Sequence, residues 1–404
     1  MSTRNIPSVV RRRRVSALAM GVALVTLTAA CSSQKEGAPS AGAGGSASSE
    51  SCSGASEAQA QYTEAWSQTA AEVGLSKLTP VQEKVCQVDT SKWKKAPKSG
   101  SKYRIAFAAQ GPTNSWGLTS EEAFKYEAKR KNVDELYASA NGDATAQVDN
   151  ISQLASQDPD AMVVVPMGDG ITGQVKAAAA QGIPVVLCSG RLGGDSGAVS
   201  TVTRQYELLG TMYAEWLAHK IGGKGQVAIL SGLAGVPTAE FQKAAALKAF
   251  AKYPGIKVVT TQYTQWSPTT AKKVAANLLT KYPDLAGIWS DSGYGDLGVV
   301  QAYTEAGKKV PPLTGDANNA FLKAAQKNPR VQFALSSFPP EQSMQCLDTA
   351  LDILAGKPVL DKNYIQSPSF TNAQTAKFVR PDCSDNLQIP SSLPATLLKS
   401  LKLC

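Results

Sequence analysis

The sequence predicts an α/β fold in which two lobes, each built on a doubly wound parallel sheet, are joined by a hinge and enclose a ligand cleft. Three observations lead to this prediction. The chain of 404 residues is 43% hydrophobic and 18% charged, which fits two globular domains and excludes a disordered chain. Short apolar runs alternate with stretches of helical period, as in parallel sheets covered on both faces. A Gly-Gly-Lys-Gly break at 222–225 divides this alternation in two.

The charge distribution indicates export rather than nucleic-acid binding. The chain carries 41 Lys and Arg against 32 Asp and Glu, a net charge of +9. Arg4 and the arginine run 11–14 lie in the first 30 residues, which contain no acid. Without these five arginines the balance is 36 against 32, so the basic character is mostly a targeting signal and is poor evidence for nucleic-acid binding, which needs a clustered basic face. The single histidine, His219, argues against a His-rich metal site or a His-based triad. We therefore expect no cofactor, no metal and no nucleic acid.

Residues 1–30 have the pattern of a signal peptide. An apolar stretch at 15–30 is too short for a membrane span and fits a signal h-region. Small residues before Cys31 and polar residues after it resemble a bacterial lipobox, in which the cysteine is lipidated; a plain signal peptide or an anchor helix is the alternative. Residues 31–56, rich in Ser, Gly and Ala, predict a flexible linker. We expect an exported protein, lipid-anchored to the outer face of the bacterial cytoplasmic membrane.

The remaining cysteines suit an oxidising compartment. They are Cys52, Cys86, Cys188, Cys346, Cys383 and Cys404. An even number suggests disulfides, although six cysteines allow 15 connectivities. Pairing of the first two would staple the N-terminal extension, and pairing of the last two would pin the C-terminal tail. The middle two could pair with each other or stay free.

The elements follow one another regularly after an N-terminal helical extension at 57–102. Apolar runs predict strands at 104–108, 161–165, 183–187, 198–202, 226–230, 256–259, 285–289 and 332–335. Helical period is clear in the connections at 267–282 and 295–307. With the boundary placed at the glycine break, the expected lobes are an N-terminal one of residues 103–222 plus 337–360 and a C-terminal one of residues 223–336 plus 361–404.

Polar and aromatic side chains follow the predicted strands. In doubly wound folds the ligand binds at the carboxyl ends of the parallel strands. The candidates there are Gln110, Asn114, Trp116, Ser189, Arg191, Arg204, Phe241, Trp266, Asp291, Ser292, Tyr294, Asp316, Ser337 and Phe338. Amides, hydroxyls, carboxylates and flat aromatic rings suit a small polyhydroxylated ligand, since directed hydrogen bonds hold its hydroxyl groups and aromatic faces cover its apolar side. Arg191 and Arg204 could reach an anionic ligand, although loop arginines are more often solvated.

Several motifs support a more specific interpretation. They lie at 105–116, 160–166 (DAMVVVP), 182–186 (GIPVV), 283–291, 314–316 and 355–359. In this order they resemble the type I periplasmic binding proteins of the ribose, galactose and xylose group, the solute receptors of ABC sugar importers. The resemblance implies a hinge that closes around a sugar-like molecule and delivery of that molecule to a membrane permease. We also expect a monomer, and no enzymatic activity, since the sequence contains no G-x-S-x-G nucleophile elbow, no HExxH and no P-loop. A sensor that presents its ligand to a membrane signalling protein is the alternative role.

The resemblance also assigns site residues position by position. The family's first-loop Asn and aromatic residue correspond to Asn114 and Trp116. Its second-lobe polar residue corresponds to Asp291 or Ser292, and its late Asp to Asp316. Tyr294 follows in the same second-lobe loop.

Three further positions complete this assignment. The polar residue of the family's crossing strand corresponds to Ser337. Ser189 stands where the family has a sugar-binding Asp, and Phe241 stands near its second-lobe Arg. Because a carboxylate and a guanidinium are strong partners for hydroxyl groups, their loss argues against a pentose and leaves room for a more apolar ligand.

Two patterns admit a different interpretation. Residues 293–298 spell G-x-G-x-x-G after a predicted strand, as in dinucleotide-binding folds. Asp291 and Ser292 lengthen that turn, however, and glycines for a loop and for helix packing are the simpler explanation. Asp291 and Asp316 could act on a glycosidic bond as a secreted enzyme would, but nothing in their spacing favours this over hydrogen bonding.

Overall fold

The computed structural model describes residues 55–97, 100 and 102–404. The predicted signal peptide, Cys31 and Cys52 lie outside the described residues. Within the described part of the chain, no helix combines the length and the apolar character that a membrane span requires.

The first lobe follows a short N-terminal extension. The extension contains α1 (Ser56–Glu72), β1 (Gln87–Val88) and a 3₁₀ turn (Ser91–Trp93). The elements of the first lobe are β2 (Arg104–Ala109), α2 (Ser115–Arg130), β3 (Asp134–Ser139), α3 (Ala144–Ala155), β4 (Ala161–Val164), a 3₁₀ turn (Asp169–Ile171), α4 (Thr172–Ala180), β5 (Val185–Cys188) and β6 (Ser200–Thr203). Strands β4 and β5 are buried throughout, as their uninterrupted apolar sequences predict for central strands of a parallel sheet.

The second lobe repeats this alternation. Its elements are α5 (Tyr206–Lys220), β7 (Lys224–Ser231), α6 (Pro237–Phe250), β8 (Gly255–Tyr263), α7 (Pro268–Lys281), β9 (Leu285–Ser290), α8 (Asp296–Glu305), β10 (Leu313–Asp316), α9 (Asn319–Lys327) and β11 (Phe333–Ser336). The chain ends with α10 (Gln342–Leu354), β12 (Val359–Leu360), β13 (Lys362–Tyr364), β14 (Ser369–Thr371), a 3₁₀ turn (Asn372–Gln374), α11 (Thr375–Phe378) and α12 (Ala395–Ser400).

Each lobe contains one six-stranded sheet. The strand order is β13-β6-β5-β4-β2-β3 in the first sheet and β14-β11-β10-β9-β7-β8 in the second. All neighbours are parallel except β14, which runs antiparallel to β11 at the edge. Both orders reverse direction beside the first strand of the lobe, which is the switch point of a doubly wound sheet. The predicted fold class is therefore confirmed.

Three segments of the described chain pass from one lobe to the other, at β6–α5, β11–α10 and β13–β14. The first passage comes earlier than the expected boundary at 222. Leu217 of α5 packs against Gly287 in the second sheet, and α5 shares a hydrophobic cluster with β7. Gly222 and Gly223 have φ of 68° and 72°, and the N–H of Gly223 donates to the carbonyl of Ala218. The glycine break is thus the C-terminal cap of a helix rather than a linker between domains.

The last segments also divide differently from the expectation. Strand β13 was expected in the C-terminal lobe but joins the first sheet beside β6. Helix α10 packs on the first lobe, where Cys346 forms a disulfide with Cys188 at the end of β5. Cys383 and Cys404 are also paired, as expected for the tail. Cys86 is disulfide-bonded, and its expected partner lies outside the described residues.

The N-terminal extension contacts both lobes. Tyr62 and Trp66 of α1 are buried in a cluster with Leu208 of α5 in the second lobe. Strand β1 pairs antiparallel with β12, and Cys86 and Asp361 exchange hydrogen bonds of 2.7 and 2.8 Å beside it. The extension therefore runs across the edge where the connecting segments lie.

Candidate ligand cleft

A cavity lies between the lobes, where the carboxyl ends of both parallel sheets face each other. Its lining residues are Gln110, Asn114, Ser115, Trp116, Pro166, Ser189, Arg204, Val236, Thr238, Gln242, Trp266, Asp291, Ser292, Tyr294, Asp316, Phe338 and Gln388. Most of them follow the end of a strand, which is the position that the fold reserves for a ligand. Eleven of the fourteen candidates named from the sequence belong to this lining.

The first-lobe wall is formed by neutral side chains. Asn114 precedes α2, and its Oδ1 accepts a hydrogen bond of 2.9 Å from the N–H of Gly117, so it caps the helix while lining the cavity. In the first turn of the helix, the indole Nε1 of Trp116 donates to the carbonyl of Phe338 at 2.9 Å, and the two rings pack with centroids 4.5 Å apart. Ser189 follows β5 with φ of 59°, directly after the disulfide-bonded Cys188.

A buried ion pair forms the floor of the cleft. Arg204, 1% exposed, directly follows β6, and its two Nη atoms donate to the carboxylate of Asp316 at 2.7 and 3.2 Å. The same guanidinium donates to the carbonyl of Ser337 at 3.0 Å and lies 3.7 Å from the ring centroid of Phe338. Burial raises the pKa of Asp316, and the Arg204 guanidinium opposes that shift. Bidentate pairing of this kind holds both groups in a fixed geometry.

The second-lobe wall contains another buried carboxylate. Asp291, 1% exposed, accepts hydrogen bonds from Ser231 Oγ at 3.0 Å, from the N–H of Gly232 at 3.2 Å and from Trp266 Nε1 at 3.0 Å. Burial, together with the nearby charge of Asp316, raises the pKa of Asp291 to about 7, against an ordinary value of 3.8. The hydrogen-bond donors oppose this shift because they favour the ionised form.

The loop after β9 completes this wall with Ser292 and Tyr294. Its glycines serve close packing: a Cβ on Gly293 would lie 1.5 Å from the carbonyl oxygen of Asp316, and a Cβ on Gly298 would lie 1.9 Å from that of Pro268. Asp296 accepts from the N–H of Gly293 at 2.9 Å. The G-x-G-x-x-G pattern is therefore accounted for by contacts within the lobe.

The structure places three predicted binding residues elsewhere. The guanidinium of Arg191 lies over the ring of Phe241, 3.8 Å from its centroid, and pairs with Glu207. The guanidinium and the ring therefore contact each other rather than the cavity, and Phe241 lies in the second turn of α6. Ser337 is buried and contributes its backbone carbonyl to Arg204 rather than a hydroxyl group to the cavity.

Several residues line the cavity although the sequence gives little indication of that position. Arg204 was expected to be solvated, yet it is buried, and only its position directly after a strand gave a hint. Trp266 and Phe338 also follow strand ends, but their rings could equally have been core. Gln388 comes from the C-terminal segment, where a bridge with Asn318 brings it to the cleft. No pattern in the sequence indicates that contact.

The lining offers hydrogen bonding and stacking rather than metal chemistry. Among the described residues, no group of three or more His, Cys, Asp and Glu side chains is placed to hold a metal ion. Two buried side chains of the lining retain unused polar atoms: Arg204 Nε and Gln242 Oε1 have no hydrogen-bond partner among the described residues.

Comparisons with known proteins agree with this arrangement. Residues 105–358 match the family described as "Periplasmic binding protein domain". The chain is 26% identical to the ribose import binding protein of Bacillus subtilis over 278 residues, 68% of this chain and 90% of that one. It is also 26% identical to the xylitol-binding protein of Mycolicibacterium smegmatis, over 62% of this chain and 75% of the relative.

Solved structures give the same result. One is the periplasmic binding protein component of the arabinose ABC transporter from Shewanella sp. ANA-3, bound to L-arabinofuranose. The match has a TM-score of 0.63 at 25% sequence identity and covers 68% of this chain and 93% of that one. Another is a periplasmic solute-binding protein of an ABC transporter from Actinobacillus succinogenes with bound D-allose. That match has a TM-score of 0.61 at 26% sequence identity and covers 68% of this chain and 100% of the other.

Proposed function

The chain belongs to the periplasmic binding protein family, and from that premise we propose that it captures a small, neutral, polyhydroxylated ligand and delivers it to an ABC importer. The observation that carries this proposal is the composition of the cleft. Amide, hydroxyl and aromatic side chains converge there from both lobes, and its one buried cation is already paired with a carboxylate. Directed hydrogen bonds with apolar ring faces form a binding surface for a sugar or polyol.

The charge balance of the cleft supports a neutral ligand. Arg204 forms a bidentate pair with Asp316, so its charge is not free for the carboxylate or phosphate of a ligand. Asp291 adds a group that carries either no charge or a negative one, which disfavours anions further. The relatives named for ribose, xylitol and allose are named for small neutral molecules.

Closure of the hinge would couple binding to delivery. The cavity has walls from both lobes, so a ligand can contact both only when the lobes are together. Such contacts shift the population towards the closed form, a switching mode that periplasmic binding proteins exemplify. A permease that recognises the closed form would then receive loaded protein in preference to empty protein.

The remaining parts of the proposal concern the cell surface. We propose that residues 1–30 are a lipoprotein signal peptide, that Cys31 carries the lipid, and that residues 31–56 tether the binding unit as a monomer outside the membrane. The supporting observation is the sequence alone: an arginine run, a short apolar stretch, small residues before a cysteine and a Ser/Gly-rich tract. Labelling with a fatty-acid analogue in a bacterial host, with Cys31→Ala as the control, tests the lipid anchor.

Thermal unfolding across a ligand panel tests the binding proposal. A ligand that binds only the folded state raises the midpoint by mass action. The panel contains D-ribose, D-allose and xylitol, together with a sugar acid, an amino sugar, nucleosides and amino acids. We expect a rise with at least one neutral sugar or polyol and none with the sugar acid. A rise only with the sugar acid, nucleosides or amino acids would overturn the proposed ligand class.

A further inference from the structure

We propose that Asp291 is a positioning residue: it holds the indole ring of Trp266 in the second-lobe wall and does not itself contact the ligand. This inference rests on the proposed function, because it treats Trp266 as a surface on which the ligand packs. It also reassigns Asp291, which the family resemblance had placed among the residues that contact a ligand.

The hydrogen bonds of Asp291 are directed at the protein. Oδ1 accepts from Trp266 Nε1 at 3.0 Å, and Oδ2 accepts from Ser231 Oγ at 3.0 Å and from the N–H of Gly232 at 3.2 Å. Each oxygen is therefore engaged by the protein, and although Asp291 belongs to the cavity lining, only 1% of the residue is exposed. A carboxylate that served a sugar hydroxyl directly would need an oxygen open to the cavity.

The loop that carries Trp266 is built to place its ring. Gln265 and Trp266 have φ of 56° and 50°, the left-handed region that non-glycine residues seldom adopt. A Cβ on Gly232 would lie 1.9 Å from the indole ring, so this glycine makes the space in which the ring lies. The N–H of Gln265 donates to the carbonyl of Gly232 at 3.0 Å. Strain of this kind persists only where surrounding contacts fix it.

The hydrogen bond to Asp291 limits how far the indole ring of Trp266 can rotate. Backbone contacts fix the start of the side chain, whereas the indole N–H at its far end is held by Oδ1 of Asp291. Without that acceptor the ring can rotate about its side-chain torsions, and the buried N–H loses its partner. Trp266 is half-buried and lines the cavity. Its orientation therefore decides how much apolar ring face the ligand meets.

The cleft contains an internal control for this relation. Trp116 also lines the cavity and also donates through Nε1, but its acceptor is the backbone carbonyl of Phe338. A change at Asp291 should affect the indole of Trp266 and leave that of Trp116 in place. The two tryptophans thus separate a specific effect on one ring from a general change of the cleft.

The first test uses the ligand-free protein, so it does not depend on the proposed function. The indole N–H resonances are recorded by nuclear magnetic resonance for the unsubstituted protein and for Asp291→Asn, and are assigned through Trp266→Phe and Trp116→Phe. We expect the Trp266 resonance to shift or broaden and the Trp116 resonance to stay in place. An unchanged Trp266 resonance would overturn the inference. If Asp291→Asn does not fold, Ser231→Ala, which removes one donor to Asp291, gives the same comparison in milder form.

The second test is a double-mutant cycle on affinity for the sugar or polyol that most raises the unfolding midpoint. Asp291→Asn and Trp266→Phe should each weaken binding by about 5- to 30-fold, and the double variant should be no weaker than Trp266→Phe alone, because no indole N–H is left to hold. With Trp116→Phe, the effects of Asp291→Asn should multiply. If they also multiply with Trp266→Phe, Asp291 acts on the ligand and the inference fails. A panel without any binder would defeat the proposed function but leave the resonance test decisive.

Discussion

The two walls of the cleft occupy the same position in two similar lobes but are stabilised in different ways. The first-lobe wall presents neutral side chains, and the disulfide between Cys188 and Cys346 lies directly behind it. The second lobe contributes two carboxylates, Asp291 in its wall and Asp316 in the floor, each held by donors from the protein. The difference shows that charge in a binding cleft need not be offered to the ligand; here it fixes the groups that line the cavity.

Breaking the ion pair of the floor should have the largest effect. Arg204→Met would leave Asp316 buried without its partner, and removal of one member of a buried pair typically costs about 3–5 kcal/mol of the free energy of unfolding. Urea denaturation at pH 7 measures this loss. Adding Asp316→Asn to the same chain should recover most of it, since the uncompensated charge is gone. A loss below about 1 kcal/mol would contradict the burial described for this pair.

The second carboxylate predicts a pH dependence. Burial raises the pKa of Asp291 to about 7 from 3.8, so the folded protein binds more protons than the unfolded chain between these values. The free energy of unfolding should therefore fall as the pH rises from about 4 to about 7, by up to about 4 kcal/mol from this residue. Asp291→Asn should remove this residue's part of the pH dependence. Burial also raises the pKa of Asp296, but that residue is present in both proteins, so its contribution cancels in the comparison. Parallel pH profiles for the two proteins would refute the assignment.

The first-lobe wall should respond in affinity more than in stability. Trp116→Ala removes an aromatic face from the cavity and should weaken binding of the cognate polyol roughly tenfold, because such contacts contribute about 0.5–1.5 kcal/mol beyond the area that they bury. Calorimetric titration measures the change. Leu118→Ala, at an exposed position of the same helix, is the matched control and should leave the affinity unchanged.

The smallest expected effect separates two roles of Asn114. Asn114→Ala removes a helix cap and should lower the free energy of unfolding by about 1 kcal/mol. Asn114→Ser keeps a capping oxygen, so its stability should stay within about 0.5 kcal/mol of the unsubstituted protein. If the amide also binds the ligand, both variants should lose affinity. Equal affinity in the serine variant would limit Asn114 to capping.

The sequence allowed the fold to be predicted because apolar strands and helical connections alternate over most of the chain. The boundary at 222 was wrong because a glycine pair that ends a helix looks, in sequence, like a linker. The candidate site was predictable where a lining residue directly follows a strand, as for Ser189 after β5 and Asp291 after β9. The burial of Arg204 could not be predicted, because its partner Asp316 lies 112 residues away in the chain. Pairing of buried charges depends on how the two sheets meet, which no local pattern records.

If the two walls close over a neutral polyol, the protein becomes more compact when the ligand binds, and small-angle X-ray scattering with and without the ligand measures this change. The ligand is the neutral sugar or polyol that most raises the unfolding midpoint, used at a saturating concentration. We expect a smaller radius of gyration with the ligand than without it. A radius of gyration that stays the same at full saturation would contradict closure of the hinge.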